Sequence, residues 1–250
     1  MKPLDPPPVR RLFVPDPGYV LFECDLARAD AQIVARESND LPLLDIFSRN
    51  TDIYRENAAW LYEIPIEKVS ASQRQWNKNG VHAIDYFCKA RTLGRTLHVT
   101  EHRAQEFMDD WWFAKHPGIR QWHRHIAEQL RCSRTVHNVY GFRRYYTDRL
   151  DNTLPQALAW IASSTVSVTI NKIMLNLYNT LPEVQILLQI HDSVLGQVRV
   201  TDAERLLPAI LKASHVEIPY DPPLVIPVTM KVSAASWGDI KPWAETKIAA

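Results

Sequence analysis

Val20-Leu21-Phe22-Glu23-Cys24-Asp25 is an apolar, strand-forming run that ends on a carboxylate. β-Branched and aromatic residues favour an extended segment, and Gly18 supplies the turn that feeds the chain into it. A second run of the same kind lies far along the chain, Gln185-Ile186-Leu187-Leu188-Gln189-Ile190-His191-Asp192-Ser193-Val194. It pairs most naturally as a hairpin with residues 197–200, and residues 225–232 read as a last strand before Ser236-Trp237-Gly238. Helical patterns fill the space between. Residues 28–38 are helical and broken by Asn39-Asp40-Leu41-Pro42. Asp52 is placed to cap a helix running to Tyr62, and Pro65 punctuates before Ser70 or Ser72 opens the next helix. Residues 100–131 form a long helical region interrupted at His116-Pro117-Gly118, and 135–147 a hairpin turning at Gly141. Residues 154–179 are a long apolar, Ser/Thr-rich helix, and 202–214 a shorter one. The proline-rich lead-in, residues 1–17, carries one short strand around 11–14. Helices that interrupt and flank a small antiparallel sheet make an α+β architecture.

The bounds agree with an ordinary globular protein. Its 250 residues, 46% apolar and 23% charged, can form one large domain or two small ones. We find no apolar run long enough to cross a bilayer and no secretory signal in Met1-Lys2-Pro3-Leu4-Asp5, so no membrane partner is expected. Three widely spaced cysteines, Cys24, Cys88 and Cys132, point to a reducing, cytoplasmic compartment and against a disulfide framework or zinc site. Cys24 reads as a core residue. The net charge of +1 hides a division: residues 74–149 hold 14 Lys/Arg against 7 Asp/Glu, and the remainder 15 against 21. Seven of the nine histidines lie in the same basic stretch. Such a block suits phosphates, although a solvated helical surface would carry the same charges.

Arg74, Lys78, His82 and Tyr86 recur every fourth residue, which on a helix gives a slowly drifting stripe, cationic at one end and aromatic at the other. Arginine and lysine bind phosphate oxygens, and a ring supplies a stacking surface; a purely solvated face seldom carries that aromatic end. Two strand-borne carboxylates, Asp25 and Asp192, can hold divalent cations. A buried Asp192 in an apolar run would be costly without one. Together these groups point to metal-assisted nucleotidyl transfer. Asp25 alone reads first as a turn former, the usual role of an aspartate at the end of a strand. His123 and His125, two residues apart, are read as surface residues, and Trp111-Trp112-Phe113 as core.

From Val9 to Trp237 the chain resembles the C-terminal polymerase portion of family A DNA polymerases, the bacterial DNA polymerase I type. Val9-Arg10-Arg11-Leu12-Phe13-Val14-Pro15 with Gly18-Tyr19-Val20 is similar to the entry to that family's first catalytic motif, and Asp25 matches its metal aspartate. Asn50-Thr51-Asp52-Ile53-Tyr54 through Ala58-Ala59 resembles the opening of the fingers. Val69-Ser70-Ala71-Ser72-Gln73-Arg74 leads into the second motif, Tyr140-Gly141-Phe142-Arg143-Arg144 resembles the palm hairpin, Asn152-x3-Gln156 the primer–template segment, and Gln189-Ile190-His191-Asp192 the third motif. The departures are specific. Asp30 stands where the family has a glutamate that excludes ribonucleotides. His82 replaces Phe or Tyr, Phe87 replaces glycine, and Ser193 replaces glutamate. His-Asp-Ser is the form typical of single-subunit RNA polymerases.

The resemblance implies a palm of residues 1–38 and 132–250, and an inserted all-helical fingers of residues 39–131. It implies a template-directed DNA polymerase extending a primer 3′ end. Asp25, Asp192 and the Leu26 carbonyl are then ligands of two magnesium ions, for which manganese can substitute. Arg74 and Lys78 hold the β/γ-phosphates, with Lys78 also a candidate general acid. His82 and Tyr86 pack on sugar and base, Asp30 limits the 2′ position, and Tyr54 lies near the incoming nucleotide. Arg143, Asn152, Gln156 and His191 contact the nucleic acid. The implied partners are primer–template DNA and dNTPs. A separate thumb- or exonuclease-bearing chain is the partner that a split enzyme would need, and the implied host is a bacterium or a phage-infected cell. An RNA polymerase, a non-catalytic DNA-binding remnant and a subunit of a split polymerase are the alternatives that the departures keep open.

Overall fold

The structure is a computed structural model and describes residues 8–49 and 52–243. In chain order the elements are β1 (Tyr19–Leu26), α1 (Ala29–Glu37), α2 (Leu41–Ser48), α3 (Ile53–Tyr62), α4 (Ala71–Asp85), α5 (Ala90–Leu97), α6 (Glu101–Asp109) and α7 (Pro117–Ser133). Then follow β2 (Thr135–His137), β3 (Arg143–Tyr145), α8 (Leu150–Thr180), β4 (Gln185–Ile190), β5 (Ser193–Arg199), α9 (Ala203–Ala213), β6 (Glu217–Ile218), β7 (Leu224–Val225), β8 (Val228–Ser233) and β9 (Lys241–Pro242). The α+β architecture expected from the sequence is present. Contacts divide the chain into two compact units, one up to Ala29 and from Val166 on, the other Asp30–Thr165. The proposed palm and fingers boundaries are a functional division and stay an assignment by resemblance; Asn50 and Thr51 of the fingers match lie outside the described residues.

The first unit is built on a five-stranded antiparallel sheet in the order β4-β5-β1-β8-β9. Val20 and Phe22 of β1 with Val194 and Val198 of β5 make one face of this strand pair apolar, while on the other Leu21 and Leu195 share the buried surface with Glu23, Ser193 and Gln197. Gly196 of β5 is required by close approach. A Cβ there would lie 2.4 Å from Phe22 Cζ and 2.7 Å from the Gln185 carbonyl oxygen. The second unit is helical apart from the β2–β3 ribbon, around a core that includes Ile84, Leu93, Leu97, Phe107, Trp111, Ile119 and Leu130.

Local signals set many of the helix starts. Asp52 accepts a hydrogen bond from the Arg55 amide, Asp40 from Leu43, and Thr100 from Arg103. Ser70, not Ser72, opens α4, through a capping box with Gln73.

Several expectations are corrected. Residues 9–12 form a 3₁₀ turn and not a strand; the Arg11 amide bonds the Pro8 carbonyl, and the apolar side chains of Val9 and Leu12 are exposed with no neighbouring strand to pair. The hairpin after β4 turns at His191-Asp192, with Ile190 facing Ser193, so Asp192 sits at a two-residue turn and is only half-buried. The cost of a buried carboxylate therefore does not apply to it. The last strand is split by Pro227 into β7 and β8. The helical region before Pro117 ends in a π-helical turn, Asp110–Lys115, which buries Trp111 and Trp112 and leaves Phe113 exposed. By length and composition one helix, Asn152–Thr180, is long and apolar enough to cross a membrane, with a mean hydropathy of 1.3. Its serines and threonines break the contiguous apolar run but barely lower the average. Leu158, Ile161, Ile170, Ile173 and Leu177 form its buried side.

Candidate active site

In the first unit the two aspartates expected as metal ligands are brought together by strand pairing. Asp25, the penultimate residue of β1, faces Ser193 across the β1–β5 ladder, and the Leu26 amide donates to the Asp192 carbonyl at 3.0 Å. Both side chains are half-buried, which suits carboxylates that must exchange water for an ion. His191 adopts a left-handed φ of 51° at the turn and is exposed, its carbonyl accepting from Gln189 Nε2 at 3.1 Å. Hard oxygen donors at the end of one strand and in the turn beside it fit a divalent magnesium or manganese site. Among the described residues no cluster of three or more acidic, His or Cys groups has metal-binding geometry, so water and phosphate oxygens would complete any shell.

Glu23 escapes sequence reasoning because a glutamate inside an apolar strand carries no spacing signal. It lies two residues before Asp25, on the same face, and is buried. Its Oε1 accepts from Ser193 Oγ at 3.4 Å and from the Trp237 indole at 3.3 Å. Ser193, one of the departures from the family pattern, thus has a partner carboxylate on the neighbouring strand. Cys24, on the opposite face, is buried as expected; burial pushes its thiol up to about 12, against a hydrogen bond with Ser214 that draws it down.

In the second unit α4 carries the stripe. Arg74 Nε donates to Asp52 Oδ2 at 2.7 Å, and the guanidinium lies 5.8 Å above the Tyr54 ring. Asp52 therefore does two jobs, capping α3 with one oxygen and holding Arg74 with the other. Partial burial pushes its carboxyl up, but the hydrogen bond and charge of Arg74, with help from Arg55, hold it below its ordinary value. Lys78 is exposed one turn further on. His82, also exposed, packs edge-on against Tyr86 with ring centroids 4.7 Å apart. The Tyr86 hydroxyl is buried. Burial and the neighbouring Asp30 and Asp85 raise its pKa well above the ordinary phenol value, which places Asp30 beside the aromatic end of the stripe.

Two buried polar centres support this helix and were missed. Asp85 accepts from the Trp111 indole at 3.2 Å. His123 is fully buried and not a surface residue: its Nε2 lies 2.7 Å from the Asp85 carbonyl, and burial lowers its pKa to about 4 against that hydrogen bond. Nothing in the 123/125 spacing could reveal a contact with residue 85, whereas His125 is exposed as expected. Asp40 similarly holds His116 Nδ1 at 2.9 Å and the Gly118 amide at 3.0 Å. Of the expected nucleic-acid contacts in this unit, Arg143 is exposed on β3, and Asn152 and Gln156 are exposed one turn apart on α8.

With these two sets of side chains in place, comparison with known proteins is direct. The chain is 27% identical over 233 residues to the thermostable DNA polymerase I of Thermus aquaticus, covering 90% of this chain and 27% of that protein. It is 28% identical over 244 residues to DNA polymerase I of Treponema pallidum, covering 92% and 24% respectively. The chain thus spans about a quarter of the length of these relatives. Its fold is similar to the POL domain of Pol1 from M. smegmatis, solved in complex with DNA primer-template and dNTP, with a TM-score of 0.79 and 23% identity over 93% of this chain and 42% of that one. The family model described as DNA polymerase family A matches residues 5–239, a span that includes Asp25, the α4 stripe and Asp192. The chain belongs to DNA polymerase family A.

Proposed function

We propose that this chain is the palm-and-fingers portion of a template-directed DNA polymerase that adds deoxynucleotides to a primer 3′ end. The observation that carries the reading is the pairing of two half-sets within one family A chain. Asp25 near the end of β1 and Asp192 in the β4–β5 turn are brought together by the bond from the Leu26 amide to the Asp192 carbonyl, and Arg74, Lys78 and His82 lie along α4 with Tyr86 at its C-cap.

Asp25, Asp192 and the Leu26 carbonyl would hold two magnesium ions, or manganese in their place. These supply Lewis-acid activation of the 3′-hydroxyl and neutralise charge on the phosphates. Arg74 presents its guanidinium pre-oriented: Asp52 anchors Nε and Tyr54 lies beneath the plane, so the two terminal nitrogens are left to fork onto phosphate oxygens. Lys78 sits one turn nearer the aromatic end, where an ammonium can give a proton to the departing pyrophosphate. His82 and Tyr86 pack on sugar and base, Asp30 crowds the 2′ position, and Tyr54 lines the nucleotide side. Arg143, Asn152, Gln156 and His191 contact primer and template.

The test is primer extension by the full chain with magnesium, supplying dNTPs or NTPs. Extension with dNTPs is expected, abolished in Asp25→Ala and in Asp192→Ala while DNA binding stays nearly intact. Extension within tenfold of the parent in either variant would remove the two-metal assignment, and a preference for NTPs would move the reading to an RNA polymerase. Lack of extension until a thumb-bearing polypeptide is added would identify a split enzyme.

A further inference from the structure

Beyond the aromatic end of α4 the second unit contains a cavity of about 540 Å³, lined in part by Phe87, Lys89, Arg120, Arg124, Arg131 and Asn152. Its chemistry is that of an anion receptor. Arg131 is paired with Glu128 at 2.8 Å, but among the described residues no carboxylate is paired with Lys89, Arg120 or Arg124. Arg120 is the most committed of the cations. Its guanidinium lies 5.0 Å from the Phe87 ring and 5.0 Å from that of Trp112, beside the stacked pair the two rings form, and its Nε is buried without a hydrogen-bond partner. Desolvation and the charge of Arg124 both disfavour its protonated form, as expected where like charges converge with no counter-ion. A buried donor without a partner and several unpaired cations around one cavity leave a deficit of negative charge that a ligand can make up.

The place of this cavity along the helix narrows the ligand. Arg74 to Tyr86 spans twelve residues, about 18 Å of helix at ~1.5 Å per residue, so the cavity begins at the opposite end of the stripe from the phosphate-binding cations. We propose that it binds the terminal 5′-phosphate of a nucleic-acid strand lying ahead of the growing primer, as presented at the far side of a gap. This rests on the polymerase reading given above. A terminal phosphate is a dianion near neutral pH, with a second pKa of about 6, whereas each backbone phosphodiester carries a single charge; clustered cations favour the dianion.

The experiment is fluorescence anisotropy with the full chain, without metal or nucleotide, on a gapped duplex whose downstream strand ends in 5′-phosphate or 5′-hydroxyl. The phosphorylated end is expected to tighten binding by about tenfold or more, as for one or two charge-assisted hydrogen bonds. That difference should vanish in Lys89→Gln/Arg124→Gln, both exposed positions, and in Arg120→Gln, with circular dichroism showing that the variants fold. Millimolar inorganic phosphate should erase the difference while leaving binding of the hydroxyl-ended duplex unchanged. Deoxynucleoside monophosphate competing far better than inorganic phosphate would assign the cavity to free nucleotides instead. Equal affinity for the two ends, with variants weakening both alike, would overturn the proposal and leave only general contact with backbone phosphates. Failure to bind either duplex would overturn the polymerase reading along with it.

Discussion

Complete burial pushes the Asp85 carboxyl up to about 8, against the Trp111 hydrogen bond that lowers it and with the charges of Asp40 and Asp30 adding to the rise. The folded chain therefore keeps a proton that the unfolded chain has lost above about pH 4. The stabilising contribution of this proton is full below about pH 4 and is lost as pH rises through about 8. Asp85→Asn keeps an oxygen for Trp111 and removes the titration. Its melting temperature should exceed the parent's at pH 8, by about 2–4 °C for each kcal/mol recovered, and the advantage should disappear near pH 4. A parallel pair of melting curves across this range would mean that Asp85 is not the group responsible. Asp30 makes a different prediction at the same scale. It lies beside Tyr86, one methylene shorter than the glutamate of the family pattern, so Asp30→Glu should raise the incorporation ratio of dCTP over CTP by about tenfold. An unchanged ratio would place the sugar gate elsewhere, with Tyr86 the next residue to test. Neither Asp85 nor His123 announces itself in the sequence, because their burial arises from contacts 26 and 38 residues away. Asp25, Arg74 and Asp192 do, because strand ends and a four-residue repeat are local patterns.

Elements were legible where the chain writes its own boundaries. Ser70 with Gln73, Asp52, and the Asn39–Pro42 break were each readable, since a cap or a breaker acts within three residues of itself. Two elements were read wrongly for the opposite reason. The apolar run at residues 11–14 looks like a strand, but a strand needs a neighbour to pair with, and here the chain turns on Pro8. The sequence places the return strand of the hairpin at residues 197–200, whereas β5 already begins at Ser193. His191 reads as part of the strand in the sequence, but its left-handed backbone closes a two-residue turn. This turn sets the distance between the two catalytic candidates, so the sheet that holds it is sensitive to crowding. Gly196 lies midway along β5, between Phe22 of β1 and Ile186 of β4. Gly196→Ala would force the Phe22 ring and the Gln185 carbonyl apart, at a cost of about 1–3 kcal/mol for overpacking. Thermal unfolding should show a loss of several degrees, and primer extension should fall further than nucleic-acid binding. A variant as stable as the parent would mean that β4 moves aside freely.

At the scale of the whole molecule the uneven charge makes its own prediction. Of the 14 cations in residues 74–149, Arg74, Arg103, Lys115 and Arg131 are tied to carboxylates. Among the described residues Lys78, Lys89, Arg91, Arg95, Arg120, Arg124, Arg134, Arg143, Arg144 and Arg149 have no such partner. A solvated helical surface would read the same way in the sequence, so composition left the choice open; what favours phosphate is that so many of these cations lack an internal counter-charge. If roughly five of them displace counterions from a primer–template duplex, the logarithm of affinity should fall against the logarithm of salt with a slope of about −4.5. Raising salt from about 50 to about 200 mM would then weaken binding about 500-fold. Anisotropy titrations of the full chain at four or five salt concentrations measure that slope directly. Neutralising Arg143 and Arg144 together should reduce its magnitude by about 2 if both touch phosphates, and by nothing if they serve only the β2–β3 ribbon. A slope shallower than about −2 for the parent would mean that the basic stretch is a solvated surface after all. Nucleic-acid recognition would then have to rest on neutral contacts such as Asn152 and Gln156.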